Sequence, residues 1–407
     1  MESDKSFIVS LLSWSLGLMP MLVLTLHIGI HIASIILLIL SLLILFRQAG
    51  EARELSLMDK FFVVALCVLP IVIAFDCLLR GASFRYLDYP LRFIFALPIF
   101  FALRRVSVNM RPFIYGIAIG AIGAGCIALY QHLYLGIDRV YGTVHIIPFG
   151  HIALQLGLLS LAALIMYRDF TIKLILMCLI AGGFGIIGAV LSGTRGTWLV
   201  IFPVLIIWFI YIQINIKMKS LIIFGVFLSL IFLYNSNNYI HQRIALGAEE
   251  SADYFQEKKN NTSVGLRLEM WKGSFLIFQD KPLLGVGMSH YRSAMEEKNN
   301  QGAIHLPMIF GQAHSAYLHY LATLGIIGLF SYLLLLGGAG YYFIFSLKAA
   351  VSSEKRFAGV AGLVLVTSYM TYDLTGFSFG HQHSLMFLVI IMMSFAGIAS
   401  SNHIDKR

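Results

Sequence analysis

From Phe7 to about residue 235 the chain is a succession of apolar runs, most of them near helix-spanning length, separated by short polar hinges. Roughly twenty apolar residues wound as a helix cross the ~30 Å hydrocarbon layer of a bilayer. In that layer the backbone must satisfy its own hydrogen bonds, which leaves helices or a closed barrel. Barrel strands would read as ten-residue segments of alternating polarity. These runs have helix length and no such alternation. Apolar residues make up 59% of the 407, charged residues only 12%, and the mean hydropathy is +0.83. No water-soluble globule of that size hides so much apolar surface. The expected fold class is therefore an all-α polytopic membrane protein.

Twelve spans are expected, near 7–26, 28–46, 61–79, 89–103, 112–135, 147–167, 172–192, 197–215, 219–235, 316–347, 357–374 and 382–401. The fourth is short and begins at Arg92, and the tenth is long enough for its first turns to run along the interface. Residues 1–235 would then hold spans one to nine, 236–315 a large loop with amphipathic helices, and 316–407 the last three spans. The first run has no A-x-A-like cleavage site and eleven more follow it, so a removed signal peptide is not expected.

Lys and Arg in the hinges orient the bundle. One set comprises Lys5, Arg47, Arg53, Lys60, Arg104, Arg105, Arg111, Arg168, Lys173, Lys217, Lys219, Lys348, Lys355, Arg356, Lys406 and Arg407. All fall on one side if twelve spans alternate. The short hinges opposite hold only Arg80, Arg85, Arg139 and Arg195. The first side is thus expected to be cytoplasmic, both termini included, with the loop outside. The +9 net charge becomes mainly a topology signal and implies no nucleic-acid partner. Cys67, Cys77, Cys126 and Cys178 all lie in apolar spans, so the loop is no disulfide scaffold. There is no C-x-x-C, H-E-x-x-H or Walker-type glycine loop, and neither a metal nor a cofactor is expected.

The outer arginines carry the chemistry to be explained, because an arginine at the membrane boundary must snorkel or find a partner. Arg80 and Arg85 either anchor at the interface, pair with Asp76 and Asp88, or serve as accessory anion ligands. Arg139, in GIDRVYGTVHIIPFGH (136 to 151), is balanced between pairing with Asp138 and binding an anion. Arg195 sits in LSGTRGTWLV (191 to 200), a hinge too short to reach far, with the next span expected to start at Thr197. Flanking glycines let a ligand approach the backbone, and a helix N-terminus there favours an anion. A pinned guanidinium fork at bilayer height suits phosphate, with plain interfacial anchoring as the alternative.

Within the loop, SVGLRLEMWKGSFLIF (263 to 278) places Leu268, Trp271, Phe275 and Phe278 on one helical face, with Ser263 as the expected N-cap and Arg267 near the start. Such a helix would lie on the bilayer or across the bundle mouth. GAEESADYFQEKKNN (247 to 261) reads as charged, flexible and without a site. His314 ends the loop, followed by Tyr317, His319 and Tyr320. A neutral imidazole accepts a proton from a hydroxyl near pH 7, although a lone histidine is more often a structural hydrogen-bonder than a catalyst.

SGTRG, then RLEMWKGSFLIFQDKPLLGVG, then HSAYLHYLATLGIIGLF, in that order, resemble the O-antigen ligase family of Gram-negative bacteria and its polymerase relatives. The resemblance extends to the twelve-span layout and the loop between spans nine and ten. It implies a GT-C type glycosyltransferase of the inner membrane with its site facing the periplasm. It further implies donor-diphosphate binding by Arg195, Arg267 and, more weakly, Arg139, and a catalytic His314. Many relatives have Asn after the histidine, whereas this chain has Ser315. The implied donor is undecaprenyl diphosphate-linked O-antigen and the implied acceptor a sugar of lipid A–core oligosaccharide, with membrane lipids as surroundings. The implied reaction is a metal-independent inverting transfer, since fixed arginines can stabilise the diphosphate leaving group. The closest rival is an O-antigen polymerase, followed by a protein O-oligosaccharyltransferase. A lipid-linked sugar transporter ranks lower, because the basic residues gather at one face and no internal repeat is seen.

Overall fold

The computed structural model describes residues 2–47, 54–212, 216–217, 220, 238–256 and 261–401. The expected ninth span lies outside these residues apart from position 220, as do Arg53, Lys219, Lys406 and Arg407 of the inner basic set. Among the described residues there are helices and no strands, and a helix lies at each of the other eleven expected spans.

The helices are α1 (Glu2–Leu22), α2 (Gly29–Arg47), α3 (Leu57–Arg80), α4 (Asp88–Phe95), α5 (Leu97–Arg105), α6 (Met110–Leu129), α7 (Ile146–Ala162) and α8 (Ile172–Leu191). After a short turn, α9 (Arg195–Trp198), come α10 (Ile201–Tyr211), α11 (Asn238–Phe255), α12 (Ser263–Asp280) and α13 (Tyr291–Asn300). The chain closes with α14 (Ala316–Lys348), α15 (Ser353–Tyr372) and α16 (Gln382–Ala399). Among the described residues, eight helical segments are long and apolar enough to cross a membrane, and Ser6–Leu22 and Arg195–Tyr211 are shorter apolar helices. The polytopic all-α class holds; length and composition by themselves qualify eight spans, not twelve. One helix outside both groups, α15, is buried along most of its length against its neighbours, so it needs no lipid-facing apolar surface.

Caps set the helix starts at one end of the bundle. The side chains of Ser56, Asn109, Thr171 and Ser352 accept hydrogen bonds from the first turns of α3, α6, α8 and α15. Between helices, small residues permit close approach. A methyl group on Gly116 would fall on the Gly17 backbone where α1 and α6 cross, and one on Gly185 would meet Gly157 between α7 and α8. At the capped end Arg104 donates to the Asp59 carboxylate at 2.9 Å, and Tyr342 donates to its other oxygen at 3.1 Å. This buried pair ties α3, α5 and α14 together, and removing one partner would strand a desolvated charge.

Three spans are less regular than expected. The fourth is two helices broken at Ala96, the fifth ends in a π turn over Tyr130–Tyr134, and the tenth breaks at Gly325. Gly325 has φ +65° and ψ −157°, a region essentially confined to glycine. The segment Pro282–Gly287 lies across this break. Ile326 N–H donates to the Pro282 carbonyl at 2.9 Å, while Val286 and Gly287 N–H donate to the carbonyls of Ala322 and Thr323 at 3.1 and 2.7 Å. The backbone groups freed by the break are therefore re-satisfied by the loop, and the loop is clamped to the bundle.

The loop has a core of its own, with Met270, Ile277, Tyr291, Met295, Ile304 and Leu306 buried against Ala313 and Ala322. Three expectations change here. The cap of α12 is Thr262, accepting from Gly265 N–H, and not Ser263. The buried positions of α12 are Gly265, Glu269, Met270, Gly273, Ser274 and Ile277, whereas of the expected apolar row Leu268, Trp271 and Phe278 are half-buried and Phe275 is exposed. The small residues sit where α12 meets the rest of the loop: Gly273 lies against Met295 and Ile304, and Ser274 Oγ is 2.9 Å from Tyr291 Oη. The run 247–261, expected to be flexible, is helical through Phe255.

Candidate active site

The loop meets the bundle at the end opposite the buried Arg104–Asp59 pair. There Thr143 Oγ1 donates to the Leu24 carbonyl at 3.0 Å, and Val140 N–H to the Leu191 carbonyl at 3.2 Å. These bonds draw the hinge carrying Arg139 against the α1–α2 and α8–α9 turns. Arg195 is the first residue of α9, two positions earlier than the expected helix start, and the α9 N-cap Thr194 makes no side-chain cap bond.

Arg195 Nη2 pairs with Glu250 Oε2 at 3.0 Å, both side chains being largely buried. Glu250 belongs to α11, within the run judged to hold no site. The side chain of Arg267, in the second turn of α12, makes no ion pair or hydrogen bond with another described residue. Burial, then the nearby charges of Arg195 and Arg139, lower its pKa, and Glu250 opposes them. Three guanidinium groups from three separate segments thus share one field, with the Glu250 carboxylate among them. A cluster of this kind favours a multiply charged anion.

His314 stands beside this field. It is the one non-glycine residue with a positive φ among the described residues, at +50°. That conformation costs of order 1 kcal/mol or more and persists only where surroundings enforce it. The enforcing bonds are visible next door: Ala316 N–H is held at 3.0 Å by the carbonyls of both Asp373 and Gly376. Asp373 is buried in turn, its carboxylate accepting from Tyr332 Oη and from Ser378 N–H at 2.7 Å. Burial, and after it the Arg267 charge, pull the His314 imidazole down to about 4. At neutral pH the ring is uncharged and able to accept a proton.

Further histidines complete this end. His381, after the short Ser378–Gly380 helix, stacks on His145 with ring centroids 5.4 Å apart. Burial, then His145 and His314, lower its pKa to about 4. His151 lies beneath, stacked on Tyr372 at 4.1 Å. His319 is buried between Tyr291 and Phe377, each ring centroid 4.7 Å away, which fits a packing residue inside α14. Among the described residues no group of three His, Cys, Asp or Glu side chains is placed to hold a metal ion.

The structure therefore brings Arg139, Arg195, Arg267 and His314 into one neighbourhood. It places Arg80 elsewhere: Nε pairs with Asp76 at 2.7 Å, and Nη2 donates to the carbonyls of Leu284 and Gly285 at 3.3 and 2.8 Å. Arg80 thus holds the segment that covers the α14 break. Arg85 is exposed and makes no ion pair with a described residue. Residues not foreseen are Glu250, Asp373, His145 and His381. The histidines had a local signal in the strings TVHIIPFGH and FGHQHS, whereas Glu250 and Asp373 had none.

Two comparisons bear on this arrangement. A protein of Haemophilus influenzae described as uncharacterized is 25% identical over 401 residues, covering 97% of this chain and 99% of its own length. A family model described as O-antigen ligase matches residues 180–333, from α8 through Arg195, Arg267 and His314 into α14. Over that segment, which holds all three residues, the chain is similar to the O-antigen ligase family.

Proposed function

We propose that the protein is an O-antigen ligase, transferring the glycan of undecaprenyl diphosphate-linked O-antigen to a sugar hydroxyl of lipid A–core oligosaccharide at the periplasmic face of the inner membrane. The observation that carries this reading is the junction of Arg139, Arg195 and Arg267 with an uncharged, conformationally held His314. Arg195 and Arg267 bind the diphosphate oxygens bidentately, and Arg139 adds charge from the rim. His314 accepts the proton of the acceptor hydroxyl. The acceptor oxygen forms its bond to the anomeric carbon as the bond to the diphosphate breaks. The bonding electron pair leaves with the diphosphate, and the anomeric centre inverts. Charge that grows on the departing diphosphate meets guanidinium groups already in place, so little reorganisation is required. Arg267 has two effects on the base. It depresses His314 in the free protein, and a bound diphosphate offsets it, raising the basicity of the ring when the substrate is present.

The Glu250 carboxylate occupies Arg195 in the ligand-free protein. Donor binding then exchanges one anionic partner for a stronger one, which keeps the guanidinium compensated in both states. An O-antigen polymerase uses the same donor with a growing glycan as acceptor, and the same four residues would serve it. Lipopolysaccharide gels of a deletion strain decide between the two. Loss of the whole core-linked ladder is the ligase result. A surviving core-plus-one-unit band is the polymerase result and overturns the assignment.

A further inference from the structure

On the bundle surface, away from the arginine–histidine junction, α2, α4–α5 and α16 enclose a groove of about 160 Å³. Its lining includes Ile35 and Leu38 of α2, Phe95 and Ile99 on either side of the Ala96 break, and Ile390 of α16. The break creates the space, because α4 and α5 no longer present one continuous ridge to their neighbours. Ile35 and Phe95 are 58% and 64% exposed, so the groove opens sideways where a membrane protein meets lipid tails.

The same groove is bordered by Arg92. Its Nη2 donates to Asp88 at 3.0 Å and its guanidinium lies over the Tyr89 ring, but Nη1 is buried without a hydrogen-bond partner. An unsatisfied guanidinium arm at membrane depth is costly, and a phosphate oxygen is the acceptor that best relieves it.

Residues one turn toward the loop end give the groove a polar rim. His31 precedes Ile35 by a turn on α2, His383 precedes Met386 on α16, and His27 lies just before α2. The His383 ring centroid is 5.9 Å from those of both His27 and His31. His383 Nε2 lies 3.3 Å from the His27 carbonyl, and Gln382 reaches His31 at 3.5 Å. An apolar slot, an arginine with an unused arm, and a rim of imidazole and amide groups match the order of parts in an anionic phospholipid.

We propose that this groove is a binding site for an anionic phospholipid of the leaflet at the loop end, one acyl chain lying along Ile35, Leu38, Phe95 and Ile390 and the phosphate meeting Arg92 below the histidine rim. The site is separate from the donor-diphosphate cluster and does not depend on the reaction assigned to it. A lipid held there would wedge the broken fourth span against α2 and α16.

Native mass spectrometry of the full-length protein, delipidated in detergent, tests this with three probes. Phosphatidylglycerol carries chain and phosphate, diacylglycerol the chains alone, and glycerol 3-phosphate the phosphate alone. Phosphatidylglycerol should be retained, with both fragments bound at least roughly tenfold more weakly. Arg92→Gln should lower phosphatidylglycerol retention to the diacylglycerol level. Ile35→Trp, at an exposed position that leaves the helix packing alone, should lower both lipids by filling the slot. Equal retention of phosphatidylglycerol and diacylglycerol, or unchanged retention in both variants, would overturn the proposal. So would glycerol 3-phosphate binding as tightly as the lipid, which would identify a free-phosphate site instead.

Discussion

The protonation of His314 is the sharpest test of the site's electrostatics. Its pKa of about 4, against an ordinary 6.5, corresponds to ~3 kcal/mol of bias toward the neutral ring. Burial is the larger cause and the Arg267 charge the smaller. Arg267→Gln should therefore recover less than half of the gap, leaving the midpoint above 4 and short of about 5.3, halfway back to 6.5. Bound undecaprenyl diphosphate should also raise the midpoint in the wild-type protein, because its charge offsets Arg267. The assay is a ¹³C NMR titration of protein labelled at histidine Cε1, in detergent, where His314→Gln removes one of thirteen resonances and so assigns it. Between pH 6.5 and 4 the unfolded chain takes up a proton that folded His314 refuses, so this residue lowers stability as pH falls through that window. A wild-type midpoint near 6.5 would mean that the ring is open to water and away from Arg267, and the shared-site reasoning would fail. A midpoint that ignores the diphosphate would refute the claim that donor binding prepares the base.

Other perturbations separate the remaining roles. Arg195→Lys keeps the charge and loses the fork, so turnover should fall at least tenfold with donor binding largely kept, whereas Arg195→Ala should weaken binding as well; donor retention and transfer are scored separately at matched expression. Glu250→Gln removes the anion that competes for Arg195, and donor affinity should rise roughly three- to tenfold in a lipid-reconstituted binding assay; a loss of affinity would show that Glu250 positions Arg195 and does not compete for it. Gly325→Ala would force a side chain into a glycine-only conformation and onto the Leu283 carbonyl, costing ~3 kcal/mol or more in detergent unfolding; an unchanged midpoint would show that the α14 break is not required. If arginines alone neutralise the leaving group, transfer by the reconstituted protein should survive EDTA and need no ATP, and inactivation reversed by magnesium or manganese would contradict the proposed electrostatics.

Much of the architecture was legible without coordinates, because membrane insertion acts on local sequence. Apolar runs of helix length must become helices whatever their partners. The candidate residues Arg139, Arg195, Arg267 and His314 were readable for a related reason: each is a polar group at a run boundary or on the one large loop, where chemistry is not forced by burial. Tertiary structure decided what depends on pairs distant in the chain. Glu250 looked like part of a solvated charge run until α11 brought it within 3.0 Å of Arg195, 55 positions away. The buried face of α12 follows contacts within the loop, where Gly273 lies against Met295 and Ile304 and Ser274 Oγ meets Tyr291 Oη at 2.9 Å, so the most buried positions are not the apolar row visible in the sequence. The break at Gly325 is stable only because Pro282–Gly287 supplies the missing hydrogen bonds. The segment that carries the positive φ of His314 is likewise held, at Ala316 N–H, by carbonyls of Asp373 and Gly376 from beyond the next two helices. Local sequence determines which segments are helices; the strain, pairing and protonation of the site are set by groups that only folding brings together.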